Sequence, residues 1–160
     1  MSATADPFAT LGVEPRFDLD PSALAERHRE LSRALHPDRY VSAPPAERRM
    51  ALSRAIEVND AFRTLKDPAK RAAALAQKLG IASAEGQEPK PSPALLMEMM
   101  ESREALSEAA AKKDAQRLAA LGNEMTARKQ QVMSALSAAF AGDHEKVTPL
   151  LGELRYVERF

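Results

Sequence analysis

An imidazole and a carboxylate stand on either side of a proline in the tripeptide His36-Pro37-Asp38. In an enzyme such a pair could act as an acid-base dyad, yet no nucleophile, metal cluster or glycine-rich phosphate loop accompanies it in this sequence. On a binding surface, the same carboxylate could accept charge-assisted hydrogen bonds from a partner protein. The secondary structure around the tripeptide is therefore needed to distinguish a catalytic site from a binding site.

The tripeptide is predicted to lie at a turn between two helices. A proline has no backbone N–H and pushes the preceding residue toward extended geometry, so the helix before it should end near His36. That helix is predicted to begin at Asp20-Pro21, and a second one follows over about 46–65 after the proline-rich loop 40–45. The short connection predicts that the two helices are antiparallel, which would hold the tripeptide firmly.

Residue spacing predicts the packing face of each helix. The predicted stripes are Leu24, His28, Leu31 and Leu35 on the first helix, and Leu52, Ile56, Asn59 and Phe62 on the second, supported by Ala55 and Leu65. We expect His28 to be a structural ring at the edge of the core and assign it no function. Arg29 and Arg33 lie off the stripe beside the tripeptide, so they could form a basic binding surface rather than an ordinary solvated face.

Prolines, glycines and capping residues divide the rest of the chain. They predict helices over about 6–12, 69–79, 93–112, 114–141 and from 143 to near the C-terminus. The stretch between the fourth and fifth helices is rich in proline and shows no apolar period, as is typical of a linker. We therefore predict an all-α chain with a first domain over 1–80, a linker over 81–92 and a three-helix bundle over 93–160.

The composition agrees with this fold class and excludes several functions. Hydrophobic residues make up 44% of the chain but aromatic residues only 4%, which favours helices over sheets. The 23 basic and 23 acidic residues balance, so no overall field favours a nucleic-acid or membrane partner. Because the sequence has no cysteine, we expect no disulfide and no thiolate metal site, and we assign the chain no metal and no cofactor. The N-terminus lacks the basic and apolar run of a signal peptide and no stretch is apolar over about 18 residues, so we expect a soluble cytoplasmic protein.

An apolar run opens the predicted bundle. Leu95, Leu96, Met97, Met99 and Met100 cannot all face one core, because successive residues of a helix are about 100° apart. We expect Leu95 and Met99 to pack inward and the other three to be exposed, since exposed methionines suit an adaptable partner site. The alternative is a wide core stripe that buries all five.

The first half of the chain resembles the J-domain family. The resemblance is based on the ending Leu11-Gly12 of the first helix, the basic second helix, the tripeptide, and the closing segment Thr64-Leu65-Lys66-Asp67-Pro68-Ala69-Lys70-Arg71-Ala72. It implies that the chain binds a DnaK-type chaperone and accelerates its ATP hydrolysis. The implied chaperone-binding residues are His36, Pro37, Asp38, Arg29, Arg33 and Arg39.

The second half is similar to the HscB family of J-protein co-chaperones, which function in iron-sulfur cluster assembly. The similarity lies in the run Leu-Leu-Met-Glu-Met-Met-Glu-Ser-Arg-Glu over 95–104, and the lack of cysteine fits the bacterial members. It implies that the chaperone is HscA and that the bundle binds the iron-sulfur scaffold protein IscU. The implied scaffold-binding residues are Leu96, Met97, Met100, Glu101, Glu104 and Tyr156.

The chain departs from this family in two places. Ala74 stands where the closing motif usually has an aromatic residue, so we expect the fourth helix to pack less firmly. The sequence ends at Phe160, earlier than in typical members, so we expect a short last helix. Two other interpretations stay open, namely a J-protein with a different client, and a helical interaction protein in which the tripeptide is incidental.

Overall fold

The computed structural model describes residues 5–81 and 91–160, and every regular element in these two ranges is helical. The α-helices are α1 (Pro7–Leu11), α2 (Pro21–Ala34), α3 (Pro45–Lys66), α4 (Pro68–Lys78), α5 (Pro93–Ala111), α6 (Ala115–Ala141) and α7 (Val147–Arg159). Two short 3₁₀ helices, Pro37–Tyr40 and His144–Lys146, precede α3 and α7. The all-α prediction is therefore confirmed.

The chain divides into two compact units between Leu79 and Gly80. The first unit contains α1 to α4, and the second contains α5 to α7. Most of the predicted linker, residues 82–90, lies outside the described residues. The domain limits 1–80, 81–92 and 93–160 therefore stay a prediction.

Four helices begin at the predicted pairs of a capping residue and a proline. The capping side chains belong to Asp6, Asp20, Asp67 and Ser92, and each accepts a hydrogen bond from a backbone amide of its first turn. In α2, for example, the amide of Ser22 donates to Asp20 Oδ1 at 3.0 Å. The following proline lacks an N–H that would have had no partner there, and its fixed φ suits the first helical position. These local signals explain why the predicted helix starts agree with the structure.

The first unit is built around α3, which contacts α1, α2 and α4. The buried side chains of this unit include Phe8, Leu11, Phe17, Leu24, Ala51, Val58, Ala61, Leu65, Ala72 and Leu75. The predicted packing face of α3 is wrong in part, because Leu52 and Ile56 are 58% and 54% exposed. The helix turns its small residues Ala51 and Ala61 inward instead, which allows neighbouring helices to approach closely.

His28 and its neighbours on α3 form a polar edge of this core. Its Nε2 lies 2.9 Å from Oδ1 of Asn59, and its ring stacks on Phe62 with a centroid distance of 4.2 Å. Asn59 is itself exposed, so it borders the core rather than filling it. This environment agrees with the structural role that the sequence predicted for His28.

The second unit has its core between α6 and α7. Their buried side chains are Leu121, Val132, Leu136, Ala139, Val147, Leu151, Leu154, Tyr156 and Val157. Pro149 causes no break, because α7 begins at Val147 and a proline in the first turn removes no needed hydrogen-bond donor. By contrast, α5 contributes only Ala109 to the buried residues described in this unit. The bundle is therefore a firm pair of helices with a less deeply packed third one.

Two candidate binding surfaces

The tripeptide forms an exposed turn between α2 and α3. Helix α2 ends at Ala34, His36 is extended with φ −61° and ψ 135°, and Pro37 starts the 3₁₀ helix. The backbone amide of Asp38 donates to Nδ1 of His36 at 3.2 Å, while the Asp38 carboxylate lies 3.6 Å from the same nitrogen. Because Nδ1 accepts a hydrogen bond, the neutral imidazole has its proton on Nε2. The turn thus presents one N–H donor and one carboxylate to solvent.

Tyr40 fastens this turn to the preceding helix. Its hydroxyl donates to the carbonyl of Ala34 at 3.3 Å, and its own carbonyl accepts from the amide of Ala43 at 3.1 Å. The 3₁₀ helix also packs against α3. Sequence reasoning placed Tyr40 in a loop and missed this role, although an aromatic residue among small loop residues was the available signal.

The basic residues around the turn differ in their surroundings. Arg29, Arg33 and Arg39 are all exposed, and Arg29 pairs with Glu26, whose pKa it lowers by a hydrogen bond and by its charge. Arg27 is a structural residue, since its Nε donates to the carbonyl of Leu11 at 2.9 Å. Arg33 and Arg39 therefore contribute positive charge at the turn with less local compensation than Arg29.

The predicted division of α5 into inward and outward residues is confirmed. Leu96, Met97 and Met100 are 44%, 63% and 71% exposed, whereas Leu95 and Met99 are half-buried. The alternative of a core stripe that buries all five is wrong. We call Leu96, Met97 and Met100 the methionine patch. Glu101 and Glu104 are exposed on the same helix and add negative charge beside it.

Tyr156 occupies a different position from the other predicted scaffold-binding residues. It is 4% exposed, and its hydroxyl lies 3.5 Å from the carbonyl of Met99. It is buried because it belongs to the packed face of α7, on which Leu154 and Val157 are also buried. In this structure Tyr156 supports α5 and is not part of the solvent-facing methionine patch.

The described ranges 5–81 and 91–160 lack two kinds of feature. No cluster of three or more histidine and carboxylate side chains with the geometry of a metal site occurs in them. None of their helices has the length and apolar character needed to cross a membrane.

Comparisons with known proteins cover both halves of the chain. Residues 91–160 match the family model described as the HSCB C-terminal oligomerisation domain. The chain is 36% identical over 155 residues to the co-chaperone protein HscB homolog of Cupriavidus taiwanensis, covering 96% of this chain and 88% of the relative. It is 33% identical over 153 residues to the homolog from Neisseria meningitidis, covering 95% and 92%.

Two solved structures resemble the whole chain. The chaperone HscB from Vibrio cholerae matches with a TM-score of 0.84 and 31% identity, covering 96% of this chain and 91% of that one. The human co-chaperone protein HscB matches with a TM-score of 0.86 and 26% identity, covering 99% and 80%. The likeness thus extends over both compact units.

Proposed function

We propose a function for this chain from one premise: by its likeness to relatives along nearly its full length, it belongs to the HscB family of co-chaperones. In our proposal it stimulates the ATPase of a DnaK-type chaperone, HscA, and delivers the iron-sulfur scaffold protein IscU to it. This would promote the assembly and transfer of iron-sulfur clusters. The observation that supports the proposal best is that the tripeptide turn and the methionine patch are both exposed on helical elements.

The tripeptide turn is the proposed contact with the chaperone. The Asp38 carboxylate is exposed and can accept a hydrogen bond from a cationic side chain of the partner, an interaction about twice as strong as a neutral one. The Nε2–H of His36 can donate to a second partner group. Pro37 and the bond between Tyr40 and Ala34 keep the turn in one conformation, which lowers the entropy lost on binding.

The arginines beside the turn are proposed to guide association. Arg29, Arg33 and Arg39 would attract an acidic surface of the chaperone, chiefly raising the association rate. Added salt should weaken this effect, since exposed charges are screened over about 10 Å at 0.1 M ionic strength.

The chain itself would hydrolyse nothing. Binding of the turn would favour the hydrolysis-competent state of the chaperone over its resting state, and only this difference in affinity can shift the partner's equilibrium. Membership of the family thus favours a co-chaperone function over an enzyme with His36 and Asp38 as its catalytic residues.

The methionine patch is the proposed contact with the scaffold protein. Its flexible side chains can adapt to an apolar partner surface, and Glu101 and Glu104 favour basic groups around that surface. Tyr156 contributes to this proposed contact indirectly, because it is buried and its hydroxyl lies against the backbone of α5 at Met99.

The chaperone contact is tested by steady-state ATP hydrolysis of HscA with increasing amounts of this protein. Asp38→Asn should reduce the stimulation by roughly tenfold or more, because the charge-assisted hydrogen bond is lost. Asp143→Asn is a matched control, since Asp143 is an exposed aspartate of the second unit. Equal stimulation by the wild type and Asp38→Asn would contradict the chaperone contact.

The scaffold contact is tested by titrating IscU with the triple variant Leu96→Ala/Met97→Ala/Met100→Ala. We expect clearly weaker binding with little change in the Tm, because the three side chains are exposed. The control Leu52→Ala/Ile56→Ala removes similarly exposed apolar side chains from α3 in the other unit. If the wild type binds a different client but not IscU, the co-chaperone proposal survives with another client.

A further inference from the structure

Arg128 on α6 connects three helices of the second unit. Its Nη1 lies 2.6 Å from Oε2 of Glu98 on α5. Its Nη2 and Nε lie 3.0 and 3.2 Å from Oε1 of Glu153 on α7. One guanidinium therefore binds a carboxylate on each of the two neighbouring helices. A planar guanidinium with several N–H donors suits this double contact better than the ammonium group of a lysine.

The first half of α5 has few other anchors in the described structure. The buried residue of this helix, Ala109, lies near its C-terminal end, whereas Leu95 and Met99 are only half-buried. The contact between the Tyr156 hydroxyl and the Met99 carbonyl is long, at 3.5 Å. Because apolar burial is sparse here, the ion pair between Glu98 and Arg128 is a main polar link from this segment to α6.

The ion pair between Arg128 and Glu153 is better shielded from solvent than an average surface pair. The Arg128 and Glu153 side chains are 26% and 28% exposed, whereas the Glu98 side chain is 53% exposed. Burial acts to lower the pKa of Arg128, but the hydrogen bonds that it donates to Glu98 and Glu153 outweigh burial and raise the pKa. Without this cation, the two carboxylates would lose the charge that balances both of them.

We infer that Arg128 is a positioning residue for the methionine patch. Glu98 directly follows Met97, so the ion pair fixes the turn of α5 on which the patch is built. A patch held in place before binding loses less conformational entropy when a partner docks. Arg128 therefore strengthens partner binding without touching the partner. The predicted gain in partner affinity rests on the proposed scaffold contact, whereas the predicted positioning of α5 does not.

Hydrogen exchange of the intact protein tests the effect on α5 directly. Arg128→Gln should raise the exchange rate of backbone amides over about 97–104 several-fold, while amides in the α6 and α7 core change much less. Lys129→Gln is the matched control, because Lys129 is the next residue of α6 and pairs at 3.7 Å with Glu158 of α7, leaving α5 untouched. Equal exchange over 97–104 in the two variants overturns the inference.

Glu98→Gln keeps the test valid if Arg128→Gln folds poorly. It removes only the link to α5, and the bonds between Arg128 and Glu153 remain. We expect the same local rise in exchange as for Arg128→Gln. Unchanged exchange over 97–104 in a folded Glu98→Gln protein overturns the inference as well.

Binding to IscU gives the second readout. Arg128→Gln should weaken the affinity about tenfold, Arg128→Lys by less because it keeps the charge, and Lys129→Gln by less than about twofold. If wild-type protein does not bind IscU, the scaffold proposal fails and hydrogen exchange alone decides the role of Arg128. If wild-type and Arg128→Gln proteins bind IscU equally well, the positioning role is wrong.

Discussion

The imidazole ring of His36 has two roles, and each of its two nitrogens serves one of them. Nδ1 accepts a hydrogen bond from the Asp38 amide and stabilises the turn, while in our proposal the Nε2–H of this exposed side chain donates to a partner. The sequence predicted the turn because proline restricts its neighbours. It could not predict which nitrogen faces solvent, since that depends on a hydrogen bond across two residues.

Replacing His36 with asparagine should separate these roles. The asparagine oxygen can accept the Asp38 amide as capping residues do, so the free energy of unfolding should change by less than about 0.5 kcal/mol. Stimulation of the chaperone ATPase should nevertheless be lost, because no donor reaches the position of Nε2. Thermal unfolding and ATP hydrolysis measure the two effects. Full stimulation by His36→Asn would show that Nε2 makes no essential contact.

Asp6 provides a test of pH dependence within the first unit. Its carboxylate caps α1 and pairs with Lys78 of α4. Burial acts to raise the pKa of Asp6, but hydrogen bonds from Lys78, Ala9 and Phe8 outweigh burial and lower the pKa below the usual range of an aspartate. A carboxyl with a lowered pKa in the folded state stabilises the fold at neutral pH, and this contribution is lost as the pH falls through that pKa.

We therefore expect Asp6→Ala to reduce the free energy of unfolding by about 1 kcal/mol at neutral pH. Asp6→Asn should reduce it less, because asparagine still caps a helix. Urea unfolding at neutral pH and at about pH 3 provides the comparison. The difference between wild type and Asp6→Asn should shrink at the lower pH, and a difference that grows there would show that the charge is not stabilising.

At the scale of the helices, local signals predicted more than periodicity did. Capping residues and prolines act within one turn, so they fixed the helix starts whatever the surroundings. The packing face of α3 depends on which helices cover it, and the larger residues Leu52 and Ile56 proved to be exposed while Ala51 and Ala61 are buried. Alanine gives a weak hydrophobic signal in sequence but permits close helix packing.

The observed face of α3 makes a clear prediction about stability. Ala61→Leu should reduce the free energy of unfolding by about 1–3 kcal/mol, because the extra carbon atoms have no space in a packed core. Leu52→Ala should change it by less than about 0.5 kcal/mol, since that side chain is exposed. Urea unfolding of both variants measures the contrast. A larger loss for Leu52→Ala than for Ala61→Leu would support the face that was first predicted.

Helix α5 shows where the prediction from sequence was strongest. Helix geometry favoured different directions for five apolar residues in six over a wide core stripe, and the structure exposes Leu96, Met97 and Met100. The role of Arg128 could not be predicted, because Glu98 and Glu153 are 30 and 25 residues from it in sequence and meet only in the folded bundle.

At the scale of the whole molecule, composition and breaks in periodicity predicted an all-α chain with two units, and the structure has both. The partners could not be derived in this way. An exposed carboxylate or methionine fits many proteins, so the assignment of HscA and IscU depends on the family and on experiments with those proteins.

The central claim is that one chain connects the two partners, and HscA hydrolysis in the presence of IscU tests it most directly. Wild-type protein and IscU together should stimulate hydrolysis more than either alone. His36→Asn should abolish the contribution of this protein, and Leu96→Ala/Met97→Ala/Met100→Ala should keep its direct stimulation but remove the added effect of delivered IscU. Equal rates with wild type and His36→Asn would contradict the account.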